Sequence, residues 1–434
     1  MAKRRVRGVV VFVAALAVAL AACSNDTKSK SGGGSSATSI PKVGATSFSN
    51  LKKVAAPSPC TNDAGVSAGE IKVGAIMPTS GPQAQSFSAS QDGIKARFAM
   101  ENATGGVGGR KLALDVVDDV GDPGRNATAA RQAVEQNNDF GIIEISSAAA
   151  GSSQYLYDKT IPVTGWHVGI SDWGRYPNMF SYADGISPTP TKDYSTRNAD
   201  LIKTLGGSKV ALLGGQNQSS VTFIKQLAGV LKVTPGLSVA YQTIDIPIAS
   251  TEFTAEVQRI KQSGADAMYT GMDFLQNTAL NSQLHQAGVN LKVVVFPGGY
   301  DSRVLSIPGI EGVTFGVEFV PFEENPPGFQ DYSRWMGGKG LGQVSVAGWL
   351  SADAFVAGLK AAGASCPTRV AFIDNLRLVK GYDANGFIAP VNFAEIFGKQ
   401  FQCIYYVRVE NKRFLPLFGG KQFCGKPFTF KNGI

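Results

Sequence analysis

Residues 70–82 read Glu70-Ile71-Lys72-Val73-Gly74-Ala75-Ile76-Met77-Pro78-Thr79-Ser80-Gly81-Pro82. An apolar run over 71–77 stops at a proline and gives way to small polar residues and glycine. A helical stretch with Phe87, Ile94 and Phe98 on one face follows. A short apolar run between turn signals, then an amphipathic helix, is the unit of a parallel sheet buried on both faces.

The unit recurs along the chain. Residues 112–117 form a second apolar run ending in Asp118-Asp119, and 124–136 have helical spacing. Residues 140–145 and 162–164 are further strand candidates. After about residue 185 the alternation resumes with 210–213, 267–270 and 293–296. Between them a helix is well marked. Ser250 or Thr251 can cap it, Glu252 lies in its first turn, Phe253, Val257 and Ile260 share a face, and Gly264 supplies the stop. Residues 347–359 are another helix. Such alternation predicts an α/β chain with doubly wound sheets, here two.

Composition agrees with a globular protein of two domains plus extras. The chain has 434 residues, with 44% hydrophobic and 17% charged. The formal charge is +8, but it is concentrated at the start. Lys3, Arg4, Arg5 and Arg7 lie in the first 22 residues, and five lysines face Asp26 over 23–59. Residues 60–434 hold 32 basic and 32 acidic groups. A formally neutral folded part argues against nucleic acid as a partner. Two histidines, His167 and His285, make a His-rich metal centre a poor expectation.

The N-terminus reads as an export signal: a basic start, an apolar run over 9–20 too short to span a bilayer comfortably, then small residues. Leu20-Ala21-Ala22-Cys23 resembles the lipobox of bacterial lipoproteins, which implies a signal peptide over 1–22, a diacylglyceryl group on Cys23 and an anchor in the cell membrane. Residues 23–66 read as a flexible tether rich in Ser, Gly, Lys and Ala. Cys60, Cys366, Cys403 and Cys424 remain. An even count in an exported chain suggests two disulfides, with three pairings open. Cys403 and Cys424 flank an expected hairpin over 404–409 and 414–418 turning at Asn411-Lys412, which favours Cys403–Cys424 and leaves Cys60–Cys366.

In open α/β sheets a ligand sits beyond the carboxyl ends of the strands. The loops there are 78–81, 146–147, 165–167, 214–219, 271–274 and 297–301, rich in Gly, Ser, Gln, Asn and aromatic residues. Trp166, Trp173, Phe274 and Tyr300 are candidate stacking surfaces.

These residues carry a resemblance. The 71–82 segment, Glu101-Asn102-Ala103-Thr104-Gly105-Gly106-Val107-Gly108-Gly109-Arg110, Gly121-Asp122-Pro123, Ile161-Pro162-Val163, Gly264-Ala265-Asp266-Ala267 and Gly381-Tyr382-Asp383-Ala384-Asn385-Gly386 follow one another as in type I periplasmic binding proteins, in the branch that binds branched-chain amino acids. The resemblance implies two Rossmann-like doubly wound lobes joined by three crossover strands. Lobe one would be 67–184 and 318–380, and lobe two 185–317 and 381–434. It implies an extracytoplasmic solute-binding protein that delivers a small polar ligand to ABC permease subunits, or, as the alternative, a sensor signalling to a membrane partner. No cofactor, metal or covalent step is implied. In the family Ser146 and Ser147 occupy the position that binds the ligand's carboxylate. Ser80, Gly165, Trp166, His167, Gln218, Ser219, Asp273, Phe274, Gly299 and Tyr300 carry over as pocket loops.

Other chemistry is weaker. Asp118, Asp119 and Asp122 form an acidic cluster without His partners, read as structural. The glycines at 105–109 are not G-x-G-x-x-G and precede a strand. No Walker A sequence occurs, and the G-x-S-x-G match at Gly65-Val66-Ser67-Ala68-Gly69 precedes a strand instead of joining a strand to a helix, so it is no nucleophile elbow. His167 lacks a placed orienting group for base catalysis. One departure from the family bears on the ligand. Amino-acid binders there place an acidic side chain where Phe296-Pro297-Gly298-Gly299-Tyr300 has Gly299. Asp273 or Asp301 could substitute. Otherwise an ammonium would lie buried without a carboxylate, so the expected ligand is neutral or anionic with a flat apolar part.

Overall fold

The computed structural model describes residues 40–434. The signal segment, Cys23 and the first part of the tether lie outside the described residues.

The opening run becomes β1 (Glu70–Met77), the second strand of a five-stranded parallel sheet. With β2 (Lys111–Asp118), β3 (Gly141–Glu144), β4 (Val163–Gly165) and β5 (Met179–Ser181) it runs in the order β2-β1-β3-β4-β5. The helices between them are α1 (Ala84–Phe87), α2 (Ser90–Ala103), α3 (Pro123–Arg131) and α4 (Ser153–Asp158). Asp122 caps α3 by accepting from the Arg125 N–H at 2.9 Å, and Pro123 follows it as the first helical residue.

The chain then leaves the first sheet. It forms β6 (Asp193–Ser195), α5 (Arg197–Thr204), β7 (Lys209–Gly215), α6 (Gln218–Val233), β8 (Ser238–Ile246), α7 (Thr254–Ser263), β9 (Ala267–Gly271), α8 (Phe274–Gln286), β10 (Val293–Phe296) and β11 (Val313–Val317). It crosses back for α9 (Pro327–Trp335), α10 (Gln343–Gly363), α11 (Arg369–Arg377) and α12 (Phe393–Ile396). A third crossing leads to β12 (Cys403–Glu410), β13 (Arg413–Pro416), β14 (Phe423–Cys424) and β15 (Pro427–Thr429). The second sheet runs β13-β12-β11-β10-β9-β7-β8, with β14 beside β12, while β15 pairs with β6. Strands β7 to β11 pair in parallel and β12 antiparallel. Two doubly wound α/β lobes joined by three crossovers are the architecture.

The hairpin at Asn411-Lys412 turns with both residues at positive φ, 53° and 57°, the geometry that matches strand twist. Cys403 lies opposite Cys424 in the β12–β14 pair and is bonded to it; Cys60 is bonded to Cys366.

Helix α10 organises the first lobe. Fifteen of its 21 residues are buried, because it packs on the sheet and is covered by its neighbours. Its contact with α2 is backbone to backbone. A Cβ on Gly93 would stand 1.8 Å from the Ser345 carbonyl oxygen, and one on Gly348 1.9 Å from that of Ser90. Arg97 of α2 pairs with Asp353 of α10 at 2.7 Å and with Glu101 at 3.1 Å. A buried chain of this kind needs every charge partnered.

Three expectations require correction. Helix α7 starts at Thr254, not at a Ser250 or Thr251 cap. Ser250 sits at a turn before it, and the Phe253 N–H is taken by Gln283 Oε1 at 2.9 Å, a partner from α8 that local sequence does not announce. Gly264 does end the helix, at φ 66°. Residues 40–66, expected within a flexible tether, lie on the first lobe. Val54 exchanges two hydrogen bonds with Asn375 at 2.7 and 2.9 Å, Gly44 N donates to Arg175 O at 2.8 Å, and Phe48 sits edge-on to Phe397 at 5.3 Å. Residues 381–396, expected in lobe two, also pack on the first lobe. The Tyr382 hydroxyl donates to Asp353 at 2.8 Å and Phe393 lies edge-on to Phe180 at 5.7 Å.

At the opposite end of β3 from the crevice, Asp139 is buried and neither carboxyl oxygen has a hydrogen-bond partner. Burial, and next the neighbouring Asp115, push it up to about 8. Its unfolded value is about 4, so the native state holds the proton between the two. Stability should therefore fall as pH rises from about 4 to about 8, by at most about 1.4 kcal/mol per pH unit from this group. Asp139→Asn should flatten that fall and gain most at the alkaline end; urea midpoints at pH 5 and pH 8 check it, and an unchanged slope would contradict it. Gly348→Ala should destabilise the chain by about 3 kcal/mol, at the upper end of overpacking, because a Cβ has no room against Ser90; denaturant unfolding measures this.

Candidate functional site

The carboxyl ends of both sheets carry loops that form the two walls of a crevice. From lobe one come 78–81, 145–148 and 166–169; from lobe two come 215–219, 272–274 and 297–301. The walls approach each other at Gly169, where a Cβ would lie 3.5 Å from Cβ of Ser219. A second bridge joins α10 to lobe two. Gln343 Oε1 accepts from the Gly299 N–H at 3.1 Å, and its Nε2 donates to Gly316 O at 3.3 Å.

In the first wall the two serines after β3 differ. Ser146 is wholly buried; its hydroxyl donates to Asp119 Oδ2 at 2.5 Å and accepts from the Ala148 N–H at 3.0 Å. Asn126 Nδ2 reaches the same Asp119 oxygen at 2.9 Å and Glu144 Oε1 at 3.0 Å. Burial, then the Asp119 charge, raise Glu144 well above the usual carboxylate range. This is wall structure, not a hydroxyl offered to a ligand. Ser147 is half-buried and donates to Gln83 Oε1 at 2.8 Å, so Gln83 joins the wall although sequence did not single it out. Ser80 is exposed and bonded through its hydroxyl to Asp118. Burial pushes Asp118 up, but the Ser80 hydroxyl and the Thr79 and Val120 N–H groups hold it below the usual carboxylate value. With Asp122 at the α3 cap, the acidic cluster is accounted for structurally.

Gly165 is the last residue of β4, where a Cβ would meet the Glu144 carbonyl oxygen at 2.0 Å. Trp166 is half-buried, 6.3 Å from the Phe87 ring. Trp173 is buried in the core on the outer face of the first sheet, which corrects its candidacy as a crevice residue. His167 is 4% exposed; its Nε2 faces Asp184 Oδ1 at 2.9 Å, and its Nδ1 accepts from the Gly169 N–H at 2.9 Å. Burial pulls its pKa down, but the charges of Asp184 and then Glu318 carry it above the ordinary value. The Gly169 N–H pointing at Nδ1 places the ring proton on Nε2, so a second proton requires the 167–169 turn to open.

In lobe two, Gln218 is exposed and bonded to Thr222, and Ser219 donates to Asn217, the cap of α6. Asp273 caps α8 in a reciprocal box with Gln276, accepting from its N–H at 3.0 Å, and burial raises its pKa. Phe274 is half-buried. Gly299 has φ +117°, and a Cβ there would stand 2.9 Å from the Phe315 ring and 3.1 Å from that of Phe274. Tyr300 points away from the crevice: it is wholly buried, bonded to Glu323 at 2.5 Å and stacked on Phe322 at 4.6 Å. Its side chain is core, which removes it as a ligand platform. Asp301 grips Arg303 with both oxygens, at 2.9 and 2.8 Å.

The residues at the hinge side of the crevice were not legible in advance. Tyr182 and Asp184 lie in the first crossover, Glu318 in the second, and Arg197 begins α5. Tyr182 Oη, Asp184 Oδ2, Glu318 Oε2 and Arg197 Nη1 are buried and unpartnered. Burial, then Asp184, push Glu318 up to about 7, against the pull of His167. Their signal is tertiary: three segments far apart in sequence bring them together.

A family model described as periplasmic binding protein matches residues 70–413. Leu/Ile/Val-binding protein homolog 3 of Brucella melitensis is 26% identical over 247 residues, 55% of this chain and 64% of that protein. The chain thus spans less than two thirds of the length of that relative. Among solved structures, the R. palustris solute-binding protein in complex with benzoate has a TM-score of 0.68 at 16% identity, covering 82% of this chain and 97% of that one. The fatty acid ABC transporter substrate-binding protein of Thermomonospora curvata has a TM-score of 0.68 at 18% identity, covering 88% and 96%. At these identities the solved structures establish likeness of fold.

Ser146→Ala should lower stability by about 1–3 kcal/mol, since Asp119 loses a buried donor. Ser147→Ala, at a half-buried crevice position, should stay within about 0.5 kcal/mol of the parent. Parallel urea titrations read the contrast, and equal losses would contradict this assignment.

Proposed function

The chain belongs to the periplasmic binding protein family, and from that membership we propose that it is a lipid-anchored extracytoplasmic protein that captures one small ligand between its lobes and delivers it to an ABC permease. The observation that carries the proposal is the crevice itself. The parallel strands of the two sheets present their carboxyl-end loops to each other and approach at Gly169 and Ser219. Three crossovers, at about 182–192, 318–321 and 397–402, form the hinge between lobes that include 67–181 and 322–396 on one side and 193–317 and 403–434 on the other. Closure is stabilised by contacts a ligand makes with both walls at once, which is how binding selects the closed state.

The ligand is a neutral or anionic small molecule with a flat or apolar body rather than a zwitterionic amino acid. Three observations in lobe two support this. Position 299 has no space for a side chain, Asp273 is committed to a helix cap, and Asp301 is committed to Arg303. Of the hinge carboxylates, Asp184 already holds His167, and Glu318, at about 7, is half protonated near neutrality. An ammonium would then be buried without a ready counter-charge. On the other wall, the side-chain amide N–H groups of Gln83 are available to an acceptor, and the half-buried Trp166 and, from lobe two, Phe274 supply apolar surface. Benzoate and fatty acid, in the names of two solved relatives, belong to this class.

Calorimetry of the whole mature chain against leucine, isoleucine, valine, benzoate and medium-chain fatty acids tests this. Apolar carboxylates should bind at micromolar Kd or tighter, and the amino acids at least a hundredfold more weakly. Micromolar leucine binding that is lost in Asp273→Ala would overturn the ligand class. For the anchor, Cys23→Ser should move the protein from the membrane to the soluble fraction of the producing cells; continued sedimentation with membranes would refute lipidation.

A further inference from the structure

Behind the hinge side of the crevice, Trp173, Met179, Ser181, Asp184, Arg377 and Phe397 line a small cavity, about 10 Å³ in volume for the centre of a water molecule. That is room for one water. Arg377, 2% exposed, is sandwiched between the rings of Phe180 at 4.0 Å and Phe397 at 4.5 Å. Its Nη1 donates to Phe393 O at 2.8 Å, and its Nη2 to Pro177 O at 2.7 Å and Met179 O at 3.0 Å. Burial lowers its pKa to about 9, so it remains a cation at neutral pH. It has no ion-pair partner among the described residues.

Four lining residues each hold one buried polar atom without a partner: Trp173 Nε1, Ser181 Oγ, Asp184 Oδ2 and Arg377 Nε. Two are obligate donors, one is an acceptor, and the hydroxyl can be either. A water accepts two hydrogen bonds and donates two, which matches the set. An inorganic anion would suit Arg377 and Trp173 but would face the Asp184 carboxylate, and it is larger than the space.

We infer that one ordered water fills this cavity and bridges Arg377 Nε–H to Asp184 Oδ2, making Arg377 and Asp184 positioning residues for His167. The bridge completes a line from α11 to the crevice: Arg377, water, Asp184, His167 and the Gly169 N–H. The water supplies Asp184 with the donor its second oxygen lacks and couples the buried guanidinium to a carboxylate. Asp184 then holds the His167 proton on Nε2, which leaves Nδ1 to fasten the 167–169 turn. The other charged groups acting on the ring are Glu318 from the second crossover and Arg197 from α5. That His167 faces a ligand rests on the proposed function; the water bridge itself does not.

The test uses the whole mature chain without ligand. A crystal structure at 1.5 Å or better should show one water within 3.2 Å of all four atoms, on the usual distance criterion. Nitrogen-15 NMR of histidine-labelled protein is simple, because the chain has two histidines and the exposed His285 is an internal reference. At pH above its midpoint, His167 should show a protonated Nε2 and an unprotonated Nδ1. In Arg377→Met the His167 midpoint should rise by about one pH unit, since the Asp184 charge is no longer shared with the guanidinium. Should that variant fail to fold, Trp173→Phe removes one donor to the water and should move the midpoint the same way by less. A dry cavity, an ion in it, a proton on Nδ1 instead of Nε2, or an unmoved midpoint in a folded variant overturns the inference. None of these readouts needs a ligand, so failure here leaves the ligand reading standing, and failure of the ligand panel leaves this one standing.

Discussion

Where α2 crosses α10 the two backbones touch, with Gly93 against the Ser345 carbonyl and Gly348 against that of Ser90. Any side chain at either position would push the helices apart. The close approach seats α10 across the first sheet, where Thr164 of β4 donates to the Ser351 carbonyl at 2.8 Å. It also sets Asp353 where it can serve Arg97 and Tyr382 together. At its other end the same helix delivers Gln343 to the 299–300 loop of lobe two. A helix belonging to one lobe thus braces a crevice loop of the other, and its placement depends on two missing side chains. Dispersion across so close a contact is large, and it is lost steeply with separation.

The second feature is the concentration of polar groups where the three crossovers converge. Hydrophobic burial holds each lobe together, but a hinge made only of apolar contacts would favour one packed arrangement. Here Tyr182 and Asp184 from the first crossover meet Glu318 from the second, Arg197 from the start of α5 and His167 from the loop after β4, with several valences unpartnered. Buried groups of this kind are costly when unsatisfied and rigid when satisfied. They are therefore suited to a joint whose energy depends on what completes it, whether water or a ligand's polar end. In the first wall Ser146, Asp119, Asn126 and Glu144 bond among themselves, with Asn126 Oδ1 and Glu144 Oε2 left without a partner.

The segment at 40–66 links these themes. Asn375 of α11 clasps Val54, the Cys60–Cys366 bond lies further along, and Phe48 rests on the Arg377 guanidinium at 5.2 Å. The leading segment therefore helps to dehydrate the cation that borders the hinge cavity. A stretch whose composition reads as linker becomes ordered because a lobe surface offers an asparagine clamp, an aromatic pair and a disulfide. Composition reports that a segment has little apolar surface to bury by itself; it does not report what another part of the chain brings to it.

The sequence by itself determined the class of fold: near-continuous apolar runs at 71–77, 210–213, 267–270 and 293–296 became parallel strands because strands covered on both faces are largely apolar. The Asn411-Lys412 turn and the Gly264 stop were legible for the same reason, since their cause lies within a few residues. Edge strand β8, mostly half-buried, was not singled out, because its exposure follows no clean period of two. For the crevice, sequence located the loops but not the direction of their side chains. Only the tertiary structure decided that Ser146 faces Asp119, that Tyr300 faces Glu323, that α7 begins at Thr254 against Gln283, and that Asp184 and Glu318 share the hinge with His167. The physical reason is range. Periodicity and capping are local energies, while side-chain direction and buried-charge pairing depend on partners tens to hundreds of residues away, brought close only when the lobes are packed.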